Sequence, residues 1–234
     1  MLTLALDTST PAVSVGLADI DANGGIDVLA EKVIVNPRAH AEQLAPLVQE
    51  ALATQSAKPT QLAAIVAGVG PGPFTGLRVG LVTAASMGHA LGIPTYAVCS
   101  LDAIGHAASV GDEAAPVLVA TDARRKEIYW ATYDADGRRV TGPHVDKPAM
   151  LPEAAAHAAR MVGDGAQLYS SQLSAALSHD WRYPPVSGLF ALAADRVVAG
   201  RESETLTPMY LRRPDVHVAG KTADDRRLPT QTQT

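Results

Sequence analysis

A single cysteine, Cys99, stands among 234 residues. No disulfide can close within the chain, and zinc sites built on several cysteines are excluded. Aromatic residues make up only 4%. Stacking platforms for single-stranded nucleic acid are therefore not expected, and the core must be built mainly from Ala, Val, Leu and Ile. No apolar run approaches the roughly 18 residues that suggest a membrane span. The charge at Asp7 comes too early for the apolar stretch of a secretory signal. A cytoplasmic protein without membrane contact is expected. Long basic stripes are missing too. Cations come in short pieces, Arg124-Arg125-Lys126, Arg138-Arg139, Arg212-Arg213 and Arg226-Arg227, in a chain of net charge −5. A free-standing nucleic-acid binder usually carries a continuous basic face. Solvated surface charge is the simpler account of these pairs.

What is present reads as an ordinary globular protein, 47% apolar and 18% charged, long enough for one large domain or two lobes. "LTLAL" (2–6) suits a buried strand ending at Asp7. "AVSVGLA" (12–18) alternates as a strand does, Asn23-Gly24-Gly25 is a turn, and "DVLAEKVIV" (27–35) gives a third strand. Leu44, Leu47, Val48, Ala51 and Leu52 then recur at helical spacing. Pro46 fits this helix if it falls in the first turn, where backbone N–H groups have no helical partner. A strand over 62–69, a helix over about 74–91 closed by Gly92 and Pro94, and a strand at "TYAVCS" follow. The second half begins in the same way. An offset of 115 places Asp122 on Asp7, Ile128 on Val13, Trp130 on Val15 and Asp134 on Asp19. Internal duplication decides a fold. The pattern predicts an α/β, two-lobed, actin-like and ribonuclease H-like architecture with a duplicated β-β-β-α-β-α unit. The lobes are expected at 1–108 and 109–216, with a disordered tail at 217–234.

The stretch "GVGPGPFTGLRVG" (68–80) invites a phosphate-loop reading, which its residues fail. No Lys follows the relevant glycine as a P-loop requires. The two G-x-G-x-x-G registers end on Pro73 and Thr75. Inside the following helix, Gly72, Gly76, Gly80, Ala84 and Gly88 recur every four residues. Glycine in a helix interior costs about 1 kcal/mol relative to alanine, so something must approach that face closely. Either the chain's own sheet or a partner protein satisfies the spacing. The opposite face is also apolar, which suits a helix with two surfaces to bury.

Other chemistry is sparse. Asp7 with Thr8, Ser9 and Thr10, and Asp122 in the second half, sit where actin-like kinases hold phosphate and metal. Turn hydrogen bonding is the simpler role. The seven histidines, His40, His89, His106, His144, His157, His179 and His217, include no pair four residues apart, so the helical zinc motif is absent. Cys99 and Trp130 read as core.

"LALDTSTPAVSVGL", "RAHAEQLAPLV", "GVGPGPFTGLRVGLVTAASMGHALGIPTYAVCSLDAI", "TDARRKEIYWATY" and "PMYLRRPDV" together resemble the TsaB family, also called YeaZ and grouped with the M22 glycoprotease-like proteins. The resemblance implies an actin-like fold and a non-catalytic scaffold subunit. Its partner is TsaD, which transfers a threonylcarbamoyl group to adenosine 37 of tRNA. TsaD holds its metal with an H-x-x-x-H motif. Here the positions are His40 and Leu44, so no metal, cofactor or catalytic residue is expected, and Asp7, Thr8, Ser9 and Asp122 remain as degenerate phosphate-turn candidates. Pairing is implied through the helices at about 39–54 and 74–91, with His40, Leu44, Leu47, Thr75, Gly76, Val79, Gly80 and Thr83 as candidate contacts. Gly80→Leu is expected to abolish pairing and leave the fold intact. The ATPase TsaE joins the pair, the same surface allows a homodimer, and tRNA is met only through the complex. The alternative is an actin-like ATPase or small-molecule kinase using Asp7 and Asp122 around Mg-ATP.

Overall fold

The structure is a computed structural model that describes residues 1–110, 115–156, 158–173 and 175–212. The tail expected at 217–234 lies outside the described residues.

β1 (Leu2–Asp7), β2 (Ala12–Ile20) and β3 (Ile26–Val35) form the expected antiparallel meander. Helix α1 (His40–Thr54) leads to β4 (Ala64–Gly68), which lies parallel to β1. Helix α2 (Phe74–Leu91) ends on Gly92, whose left-handed backbone (φ 65°) closes the last turn. β5 (Thr95–Val98) then adds parallel to β4, and α3 (Ser100–Ser109) follows. The second half repeats the order with β6 (Val117–Asp122), β7 (Ile128–Tyr133), β8 (Arg139–Asp146), α4 (Glu153–Ala156), β9 (Arg160–Val162), α5 (Asp164–Leu168), β10 (Ala176–Leu177) and α6 (Val186–Val198). The sheets run β3-β2-β1-β4-β5 and β10-β9-β6-β7-β8. Strand for strand they are the same arrangement, so the fold is the duplicated two-lobed α/β architecture of the actin-like class.

Two expectations need correction. The 115-residue offset holds for β6 on β1 but slips at the next strand. Asp7 pairs with Ser14, seven positions on, whereas Asp122 pairs with Ile128, six positions on. One residue is missing from the second turn. Ile128 therefore matches Ser14, Trp130 matches Gly16 and Tyr133 matches Asp19, and a one-residue slip reverses which face a side chain takes. Pro46 lies beyond the first turn of α1, inside the helix. The buried stripe of Leu44, Leu47, Val48, Ala51 and Leu52 holds the helix despite one lost backbone hydrogen bond.

Each sheet is covered by helices. On one face of the first sheet, Leu44, Leu47 and Val48 of α1 and Leu77, Leu81 and Ala84 of α2 pack on Leu4, Leu6, Val13 and Val15. On the other, Val186, Leu189 and Phe190 of α6 pack on Ala5, Val66 and Tyr96. Leu101 and Ile104 of α3 pack on Val117, Val119 and Tyr133 of the second sheet. The two sheets thus fall either side of 108/109, while α3 and α6 pack across that boundary. So does residues 201–212, a strap running from one lobe to the other. In the first lobe the Glu204 and Met209 amides donate to Thr95 O and Val69 O, both at 2.8 Å. In the second, the Arg212 guanidinium donates to Ala123 O at 2.9 Å.

Candidate functional site

The hydroxyl-rich turn after β1 is closed by the chain itself. Asp7 is 1% exposed. Its Oδ1 accepts from the Ser9 amide at 2.8 Å and the Ser9 hydroxyl at 2.7 Å, and its Oδ2 accepts from Ser100 Oγ at 2.5 Å. Burial raises the Asp7 pKa, and the Ser100 and Ser9 hydrogen bonds pull it back. A Cβ added to Gly68 would fall 1.7 Å from Oδ2, so the carboxylate lies tightly against β4. Thr8 Oγ1 donates to Gly76 O at 2.8 Å and accepts from the Gly80 amide at 3.0 Å. His40 Nε2 donates to Thr10 O at 2.8 Å. Asp7, Thr8, Ser9 and His40 therefore fasten the turn to α1, α2 and α3. Cys99 is buried, and burial pushes its thiol up to about 12. Among the described residues no three His, Cys, Asp or Glu side chains converge as metal ligands.

The matching turn in the second lobe is also internally satisfied. Asp122 Oδ1 accepts from the Arg124 amide at 2.9 Å, and Oδ2 pairs with the Arg124 guanidinium at 3.4 Å. The Asp122 amide donates to Asp164 Oδ1 at 3.1 Å. Asp164 was not singled out by the sequence, where only its Gly163-Asp164-Gly165 setting marks it. Burial is the main cause that pushes its pKa up to about 6. The nearby Asp122 carboxylate adds to the rise, against the Asp122 and Gly165 amides and Arg182. A carboxyl whose folded pKa exceeds its unfolded value opposes folding at neutral pH and ceases to do so as pH falls through 6 toward 4. Asp164→Asn keeps the accepting oxygen and removes the charge. It is expected to raise the melting temperature by roughly 3–5 °C at pH 7.5, with the gain shrinking below pH 5. Calorimetry at the two pH values checks this; an equal change at both would exclude the charge as the cause.

The small-residue face of α2 turns inward. Gly72, read from spacing as part of the helix, lies just before it, and a Cβ there would fall 2.1 Å from Ser9 O; within α2 one on Gly76 would lie 3.1 Å from Thr8 O, one on Gly80 2.5 Å from Thr8 Oγ1, and one on Gly88 2.5 Å from Thr95 Cγ2. The glycines seat the helix on its own sheet and on the turn after β1. Of the two partners the spacing allowed, the chain itself occupies this face. His40, Leu44, Leu47 and Gly80 are buried at this packing and lie beneath the surface. Gly76, Val79 and Thr83 are half-buried and Thr75 is exposed.

A different face is left open. On α1, Ala41, Glu42, Ala45, Pro46, Gln49 and Glu50 are exposed. On α2, Thr75, Val82, Ala85, Ser86 and Ala90 are exposed, with Val79 and Thr83 half-buried beside them. Val82 is 63% exposed. From Val79 to Leu91 the helix carries no Asp, Glu, Lys or Arg. Single exposed apolar residues are unremarkable, but an uncharged stretch on a surface helix beside a second helix is a contact surface in form.

Comparison with known proteins gives the chain its family. A family model described as TsaD, tRNA N6-adenosine threonylcarbamoyltransferase, matches residues 27–207. The solved structure of YeaZ from Pseudomonas aeruginosa superposes with a TM-score of 0.73 at 31% identity, over 90% of this chain and 99% of that one. The chain belongs to the TsaB (YeaZ) family. The TsaB protein of Escherichia coli, described as a tRNA threonylcarbamoyladenosine biosynthesis protein, is 33% identical over 153 residues, 65% of this chain and 64% of its own. An uncharacterized Mycobacterium leprae protein is 44% identical over 92% of this chain. The chain spans 55% of the length of that relative. The chain is thus similar in sequence both to TsaB proteins and to the transferase family.

Proposed function

We propose that the chain is a non-catalytic subunit of the machinery that makes threonylcarbamoyladenosine in tRNA, and that it pairs with a TsaD-type transferase through the exposed α1–α2 ridge. The observation that carries this reading is the uncharged outer face of α2 in a chain whose residues 27–207 match the transferase family. A subunit of the same fold carries its own counterpart of this helix pair. Two such ridges can meet about a pseudo-twofold axis, as like surfaces do in isologous dimers. The same surface would join two copies of this chain when the transferase is absent. Helix-on-helix packing needs small side chains at the crossing, which Ala41, Ala45, Ser86 and Ala90 provide.

Residue chemistry supports the non-catalytic part of this reading. Both Asp7 oxygens are engaged by the chain's own donors, Asp122 is paired with Arg124, and Leu44 stands one helical turn after His40 where a second ligand would be needed. On this reading chemistry on tRNA belongs to the partner, tRNA is met through the complex, and TsaE joins the assembled pair. The cytoplasm, where tRNA is modified, is the proposed location. Among the described residues no helix is long and apolar enough to cross a membrane.

Co-elution of the purified chain with TsaD from the same cell on size exclusion tests the pairing; separate elution at micromolar concentration would count against it. Mg-ATP titrated into the lone chain is expected to give no heat of binding. A micromolar site would favour the kinase-like alternative.

A further inference from the structure

At the N-terminal end of α2 the ridge meets a cluster that helical spacing does not reveal. The Phe74 ring stacks on Tyr210 with centroids 5.0 Å apart. Arg78, one turn further along, holds its guanidinium carbon 4.0 Å from the Phe74 ring centroid. Its Nε donates to Tyr210 Oη at 2.9 Å. Tyr210 belongs to the strap. Its neighbours Met209 and Leu211 pack on the core of the second lobe, and the Met209 amide is fixed on Val69 O. Tyr210 itself packs on the core of the first lobe, so the cluster joins α2 to the strap that bridges the lobes.

Its outer side is open. Phe74 is 37% exposed and Arg78 is exposed. Arg78 donates through Nε, and among the described residues its two terminal nitrogens have no hydrogen-bond partner. Arg78 is also the one Arg, Lys, Asp or Glu on α2, at the N-terminal edge of a helix that is otherwise without charge. Arginine and aromatic side chains dominate the binding energy of interfaces, and a group already held in place loses little freedom on docking. A guanidinium with both terminal nitrogens available matches a carboxylate in a two-pronged hydrogen bond.

We propose that Phe74, Arg78 and Tyr210 are the anchor of the docking ridge, and that they grip a carboxylate and an adjoining apolar side chain of the TsaD-type subunit. This rests on the pairing proposed above and adds a point to it. Because Tyr210 comes from the strap, the partner contacts two stretches of chain that lie 132 residues apart. A single charge on α2 at the rim of the contact also fixes register, since a wrong register would face it with no carboxylate.

The test is titration of the purified TsaD-type subunit onto wild-type chain, Arg78→Glu, Arg78→Lys and Val82→Arg, with the melting temperature of each variant recorded. Arg78→Glu is expected to weaken binding about a hundredfold and Arg78→Lys, which keeps the charge but loses the fork, about tenfold, both melting near wild type. Wild-type affinity for Arg78→Glu with pairing lost in Val82→Arg would overturn the anchor and leave the ridge standing. Wild-type affinity for all three would overturn both. Weaker binding by Arg78→Glu and Arg78→Lys together with melting more than about 5 °C below wild type would mark the cluster as a structural latch and also overturn the anchor.

Discussion

Arginine in place of Val82 is expected to weaken binding of the TsaD-type subunit by at least about a hundredfold, while the chain itself melts within a degree or two of wild type. Val82 is 63% exposed near the middle of α2. Its side chain contributes little to the core, and arginine is the better helix former of the two. The isolated fold therefore has no reason to suffer. On docking the situation reverses. A guanidinium at the centre of a crossing made by the charge-free part of α2 loses water and finds no carboxylate on its own helix. Leaving a buried charge unpaired costs about 3–5 kcal/mol, which is two to three orders of magnitude in affinity. Calorimetric titration together with thermal unfolding separates the two effects. Unchanged affinity would move the interface away from α2.

Gly80→Leu is expected to do the opposite of what its spacing suggests, damaging the fold before it can report on pairing. The first added atom would already sit 2.5 Å from Thr8 Oγ1 and 3.3 Å from Leu6 Cδ1. The Gly80 amide also donates to Thr8 Oγ1 at 3.0 Å, so displacing Thr8 breaks a buried hydrogen bond. Overpacking costs about 1–3 kcal/mol and sometimes more, and the lost hydrogen bond adds about 1 kcal/mol. In a chain of this size that is a fall in melting temperature of roughly 5–15 °C. Differential scanning calorimetry of the lone protein reads it directly. A melting temperature equal to wild type would mean that α2 can lift off β1 at no cost, contrary to the packing described.

These two residues show what the sequence carries and what it withholds. The strands were legible because alternation and turn chemistry are local. Val13, Val15 and Leu17 alternate, and Gly24 takes the left-handed backbone (φ 83°) that its turn requires. The four-residue spacing of glycines was legible as a close approach. Its direction was not, because own sheet and foreign helix place the same demand on a helix face. Only the contacts of Gly76 and Gly80 with Thr8 decide it. The open face follows once the closed one is known, and its signal is the absence of charge from Val79 onward. The shortened turn in the second lobe was invisible for a different reason. Arg124, Arg125 and Lys126 all take positive φ (64°, 54° and 63°) with no glycine among them to announce it. Tyr210 reaches Arg78 across 132 residues, and α6 returns from the second half to cover the first sheet. Neither partnership leaves a local trace in the sequence.

The most direct trial of the scaffold account is a reconstituted transfer reaction. Threonylcarbamoyl incorporation at the target adenosine of tRNA is measured with the TsaD-type subunit and TsaE, adding no chain, wild-type chain or Val82→Arg at the concentration where wild type gives half-maximal rate. Incorporation is predicted with wild type alone, and with Val82→Arg only when its concentration is raised about a hundredfold. Full incorporation without the chain, or with Val82→Arg at the lower concentration, would contradict a subunit that acts by docking through this ridge.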